Sequence, residues 1–142
     1  MAKPIRVAIV DDSALMRRML TEALSAQPGF EVVGHAADPF EAREMIKATN
    51  PDVLTLDVEM PKMDGLTFLD KIMTLRPMPV VMVSTLTREG ADATVKALEL
   101  GAIDCIGKPN GAEGERFADF RDELIGKLRV AAGVRLGAPD RK

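Results

Sequence analysis

The sequence predicts an α/β fold, a doubly wound parallel sheet of five strands in a single domain, and three observations carry that expectation. Five short apolar runs rich in β-branched residues alternate with five segments of helical periodicity. The inner runs are apolar almost throughout rather than alternating with polar residues, the pattern of strands buried on both faces. The length of 142 residues, with 46% hydrophobic against 29% charged, suits one compact domain with a real core.

The first strand is expected at IRVAIV, residues 5–10. Ser13 can cap a helix running to about Gln27, in which Met16, Met19, Leu20, Ala23 and Leu24 share one face, and Pro28-Gly29 stops it. FEVVGHA at 30–36 is the second strand. Asp38-Pro39 then places a capping residue and a proline at a helix start, and Asn50-Pro51 closes that helix. DVLTLD at 52–57 reads as the third strand, with a helix over 65–75 stopped by Pro77. PVVMVS at 79–84 is the fourth, and its helix over 89–100 ends at Gly101. AIDCIG at 102–107 is the fifth, before a helix whose Phe117, Phe120, Leu124, Leu128 and Ala131 make a docking stripe. The expected strand order is 2-1-3-4-5, the flavodoxin-like form, in which ligands bind beyond the carboxyl ends of the strands at the topological switch.

Composition narrows the function classes. A net charge of −3 carries no basic surplus and argues against electrostatic nucleic-acid binding. The single Cys105 excludes an internal disulfide framework and fits a reducing cytoplasm. No apolar stretch approaches the length of a membrane span, so the expectation is a soluble, unexported protein.

The polar residues at the strand ends carry the chemistry. Strand one ends in Asp11-Asp12, strand three in Asp57, strand four in Ser84-Thr85 and strand five in Gly107-Lys108-Pro109. Three acids meeting at one edge repel, and at least one pKa should rise unless a cation intervenes. Mg²⁺ suits such a site, since it keeps several waters and takes one or two carboxylates plus a phosphate oxygen. Lys108 can pair with Asp57 in the empty site and with a phosphoryl oxygen in the loaded one, while Ser84 offers a hydroxyl. Acidic cradle, nucleophilic carboxylate, hydroxyl and lysine together suit formation of an aspartyl phosphate.

The segments VDDS, LDVEMPKMDG, VMVSTLT and GAIDCIGKP resemble the receiver domain of two-component response regulators, over residues 4–133. LDVEMPKMDGLTFLDKIM, RPMPVVMVSTLT and KALELGAIDCIGKP are similar, more narrowly, to the amino-terminal receiver of the chemotaxis protein-glutamate methylesterase, CheB. The resemblance implies the CheY-like form of the fold, with Asp57 as phosphoacceptor, Asp12 as direct Mg²⁺ ligand, and Asp11 acting largely through water. It implies the backbone carbonyl of Glu59 as a further ligand, Ser84 as the switch hydroxyl, Thr85 as the residue tuning access, and Lys108 as the phosphate contact. A cis bond to Pro109 and a loop shaped by Met60-Pro61 and Asp64-Gly65 are also implied. The phosphodonor would be a CheA-type histidine kinase, and the output relief of inhibition of a methylesterase domain. One position departs from the pattern: Cys105 stands where receivers commonly carry an aromatic switch residue.

Residues 134–142, VRLGAPDRK after Gly133, read as the start of an interdomain linker or a flexible tail. No G-x-S-x-G elbow occurs and the only histidine is His35, so this chain lacks the serine, histidine and acid of a methylesterase. It is expected to be a regulatory phospho-acceptor rather than an enzyme: either part of a larger protein or a stand-alone receiver. A transcription-regulating receiver, an aspartate-based phosphatase and a flavin-binding module are the alternatives. The phosphatase would usually carry D-x-D on an early strand, and the flavin module a phosphate loop after strand one; neither is present. His35 reads as structural and Cys105 as a small buried hydrophobe, reactive only if exposed. Glu59 reads equally as a solvated side chain or a modulator of phosphoryl lifetime. The methionines read as core and gap filling, with Met60, Met63 and Met78 candidates to face a partner.

Overall fold

A computed structural model describes residues 3–60, 63–84, 88–109 and 114–133. Five strands and five helices alternate: β1 Ile5–Val10, α1 Ala14–Ser25, β2 Phe30–Ala36, α2 Pro39–Thr49, β3 Val53–Asp57, α3 Gly65–Leu75, β4 Val80–Ser84, α4 Arg88–Leu100, β5 Asp104–Gly107 and α5 Gly114–Ala132. All strand pairs are parallel and the order is β2-β1-β3-β4-β5, as expected.

Local chemistry sets the element ends. The Ser13 hydroxyl accepts the Met16 N–H at 3.1 Å to open α1. Asp38 accepts the N–H groups of Phe40 and Glu41 at 2.8 and 2.9 Å at the head of α2, and Glu41 reaches back to accept the Ala37 N–H at 2.9 Å. Asn50, in the left-handed region at φ 49°, ends α2. Gly101, at φ +116°, ends α4 without the Cβ penalty that other residues meet there. The first helix closes at Ser25, two residues short of Gln27, with Ala26 as its cap. β4 begins at Val80 rather than Pro79, which has no N–H and serves the ladder only by accepting the Leu54 N–H at 3.0 Å. β5 begins at Asp104 rather than Ala102, whose N–H is used to bond the Ala97 carbonyl at 3.0 Å.

The sheet separates two cores. Ala8, Val10, Leu54, Leu56, Val80 and Met82 pack beneath α2, α3 and α4, where Ile46, Phe68, Leu69 and Ala97 meet them. Val7, Ile9, Val53, Val81, Val83 and Ile106 face α1 and α5, against Leu20, Leu24, Phe120, Leu124 and Leu128. Burial on both faces explains why these strands are apolar at nearly every position. The β1–β2 register slips between Val7 and Ala8, which pair with Val32 and Gly34 and leave Val33 as an extra residue. Among the described residues no helix is long and apolar enough to cross a membrane.

Candidate functional site

Three strand ends build the site from their own backbone bonds. Past β1, the Asp11 N–H bonds the Ala36 carbonyl at 3.0 Å, continuing the pairing to β2. Asp11 Oδ1 accepts the Ser13 N–H at 2.9 Å, an Asx turn that leads into α1, and the Arg17 guanidinium bonds the Asp11 carbonyl at 2.7 Å. Asp57 is the last residue of β3, only 1% exposed, and Glu59 N–H donates to its Oδ1 at 3.3 Å. Past β5, the Lys108 N–H bonds the Ser84 carbonyl at 2.7 Å, which sets the lysine beside β4.

The Lys108 ammonium lies between two buried carboxylates, 3.2 Å from Asp57 Oδ2 and 3.3 Å from Asp11 Oδ2. Carboxylate oxygens of Asp11, Asp12 and Asp57 all fall within 4.8 Å of one another. Burial, and next the charge of Asp11, push the Asp57 carboxyl from an ordinary 3.8 up to about 7, against the opposing pull of Lys108 and the Glu59 N–H. Burial alone would lower the pKa of Lys108, but Asp57 and Asp11 outweigh it and hold the ammonium above its ordinary value, firmly charged. Fully ionised, the three acids and one lysine leave two negative charges uncompensated. An all-oxygen donor set with that deficit fits a hard divalent cation.

The loop beyond Asp57 is clasped to the site. Gly65 N–H bonds the Val58 carbonyl at 2.7 Å, and Asp64 caps α3 by accepting the Thr67 N–H at 2.9 Å. A Cβ on Gly65 would collide with the Asp57 carbonyl oxygen and stand 2.8 Å from Val58 Cα, so the first turn of α3 rests directly on the backbone of Asp57.

Asp11, Asp12, Asp57 and Lys108 are brought together as the sequence suggested. Ser84 is buried at the end of β4, one residue past the register partner of Asp57. Glu59 turns an exposed side chain outward while its backbone stays at the cluster. Thr85 and Pro61 lie outside the described residues, as does the tail at 134–142. The bond to Pro109 is trans, contrary to expectation: no described peptide is cis. Trans is the ordinary isomer even before proline, favoured by about 0.5–1 kcal/mol. Cys105 is half-buried rather than buried, packed against the α2–α4 core, with its Sγ 3.8 Å from the Thr94 carbonyl. Burial, chiefly, raises its thiol pKa, which keeps it protonated. His35 is exposed. Met60 and Met63 are partly buried against the same core, and Met78 belongs to it.

The response regulator receiver domain family matches residues 7–115. A protein-glutamate methylesterase/protein-glutamine glutaminase of Caulobacter vibrioides is 62% identical over 132 residues, which is 93% of this chain and 38% of that protein. The chain thus spans well under half the length of that relative. The response regulator domain of Thermotoga maritima CheB superimposes with a TM-score of 0.84 at 45% identity, covering 94% of this chain and 99% of that one. A structure of the P1 domain of CheA3 in complex with CheY6 from R. sphaeroides also matches, with a TM-score of 0.75, 33% identity and coverage of 94% and 100%. The fold therefore has its counterpart along nearly the whole of a solved response regulator domain, and the chain belongs to the response regulator receiver domains, of the CheB type.

Proposed function

We propose that Asp57 accepts a phosphoryl group and that the chain passes the resulting change to an output domain. The observation that carries this reading is the Lys108 ammonium, bonded to both Asp57 and Asp11 at 3.2 and 3.3 Å beside the acid cluster. In the transfer, an Asp57 carboxylate oxygen attacks phosphorus. The bond from phosphorus to the donor breaks, and the donor nitrogen or oxygen leaves with the bonding electrons. Lys108 then exchanges its carboxylate partner for a phosphoryl oxygen, and the Ser84 hydroxyl serves another, with Thr85 governing access. Asp11, Asp12, Asp57 and the Glu59 carbonyl would hold Mg²⁺, which supplies charge neutralisation at the phosphoryl oxygens.

A CheA-type histidine kinase is the proposed donor, supported by the likeness to one chain of a structure of the CheA3 P1 domain in complex with CheY6. The proposed output is a methylesterase domain released from inhibition, supported by the 62% identical relative, of which this chain matches 38%. Residues 4–133 would then be the receiver and 134–142 the start of the connection, acting in the cytoplasm. By itself the chain is a regulatory phospho-acceptor. Moving such a switch from mostly inactive to mostly active takes about 5 kcal/mol, within reach of several charge-assisted bonds.

Intact mass after incubation with acetyl phosphate and Mg²⁺ tests the acceptor. One phosphoryl adduct is expected on the wild type and none on Asp57→Asn or in the presence of a chelator. An adduct on Asp57→Asn under the same conditions would refute the assignment.

A further inference from the structure

On the face of the sheet that carries α2, α3 and α4, the helices are unevenly spaced. α3 packs closely against α4, whereas α2 and α3 scarcely touch. Between them runs a groove of about 570 Å³, within the range of clefts that hold ligands. Its floor is apolar, formed in part by Ile46, Phe68 and Ile72 from the core below. Phe40, at the start of α2, is 55% exposed, and Leu75, at the far end of α3, is 80% exposed. Large apolar side chains therefore stand in water at both ends of an already apolar channel.

The charged lining is of one sign. Arg43 and Lys47 stand one turn apart on the α2 wall, and Lys71 and Arg76 line the other, with no acid among the described lining residues. None of the four pairs with a carboxylate among the described residues. Arg76 is fixed across the gap, donating to the Ile46 carbonyl at 3.2 Å and to the Asn50 side chain. On a molecule whose net charge is −3, four cations around one groove form a local reversal of potential.

We propose that the α2–α3 groove docks an acidic amphipathic helix of a partner protein. The two walls are helices of 11 residues each, about three turns, the length over which a third helix can seat anchors at i, i+3, i+4 and i+7. Charge complementarity selects the occupant. A second copy of this chain paired through the same face would set four cations against four cations. A bilayer is flat, and it cannot reach a floor recessed between two helices. An acidic helix meets both demands, with leucine or phenylalanine on the floor and glutamate or aspartate against the walls.

Fluorescence anisotropy with a designed peptide tests the proposal. The probe is a labelled helix about three turns long, with leucines at the four anchor positions and glutamates elsewhere. Its controls are the same composition scrambled and the same pattern with lysine for glutamate. Saturable binding by the patterned acidic peptide is expected, weakened about tenfold by Lys71→Glu and by Arg43→Glu. Phe40→Ser, which removes an anchor contact but no charge, should weaken it as well. Each variant should keep its circular dichroism spectrum and its Asp57 phosphorylation, and amide shifts on binding should map to α2 and α3. Equal binding of the scrambled peptide would overturn the proposal. So would self-association abolished by Lys71→Glu in sedimentation, or capture by anionic vesicles with no peptide binding.

Discussion

Asp57 is costly to the fold in its ionised form, the form the proposed phosphoryl transfer needs. Its carboxyl is held at about 7 in the folded chain against an ordinary 3.8, so the unfolded chain gives up the proton first as pH rises. The contribution of Asp57 to stability therefore falls between about pH 4 and pH 7, and is least favourable above pH 7. Asp57→Asn should raise stability by about 1–3 kcal/mol at pH 8. The gain should shrink steadily toward pH 4 in urea titrations; a gain independent of pH would mean that repulsion is not its source. Lys108→Met should act oppositely, costing about 1–3 kcal/mol by leaving Asp57 and Asp11 buried without their cation. Most of that cost should disappear in the Asp57→Asn background, a coupling read from the double-mutant cycle. These residues were legible in the sequence because strand-end acids and a lysine are conspicuous after apolar runs. The N–H of Ser13 on Asp11 was implicit in an Asx-turn spacing. The Arg17 bond to the Asp11 carbonyl had no signal, since it depends on how α1 leaves the sheet.

At the level of elements, α3 depends on one position. Its first residue lies against the Asp57 carbonyl and Val58 Cα, atoms of a buried strand end that cannot swing aside as a side chain can. Gly65→Ala should destabilise by roughly 1–3 kcal/mol, as overpacking does, and should also lower the rate of Asp57 phosphorylation by shifting the acceptor. Equal stability of Gly65→Ala in thermal and urea unfolding would show that the loop yields more readily than this contact implies. The helices and strands themselves were readable because caps and breakers bracket them: Ser13, Asp38-Pro39, Asn50-Pro51 and Gly101 each act at the boundary they mark. The differences lie where a boundary depends on hydrogen-bond choice. Ala102 bonds back into α4 instead of forward into β5, and Pro79 has no donor to place in the ladder. The environment of Cys105 was harder to anticipate. A strand residue facing α4 is buried only as far as α4 covers it, and that coverage leaves the thiol half-exposed.

For the whole molecule, a cation held by Asp11, Asp12 and Asp57 would link binding to folding through the same three acids. A cation that binds only the folded chain stabilises it by about 2.7 kcal/mol at a hundred times its dissociation constant. The melting temperature should therefore rise with Mg²⁺ concentration and fall back on chelation, and the response should be largely lost in Asp57→Asn. A melting temperature indifferent to Mg²⁺ in the wild type would count against the cradle. The strand order was expected from the alternation of apolar strands with helices and from the flavodoxin-like form that alternation suits, but the α2–α3 gap was not, because no sequence pattern reports how far apart two helices settle on a sheet. The sheet also ends at two open rims, β2 and β5, and each is poorly suited to recruiting another chain. The extra Val33 breaks the regular ladder along β2, and β5 is only four residues long. Short and bulged outer strands present too little flat, unpaired backbone to template intermolecular β-structure. A domain with such apolar inner strands is thereby guarded against edge-to-edge aggregation.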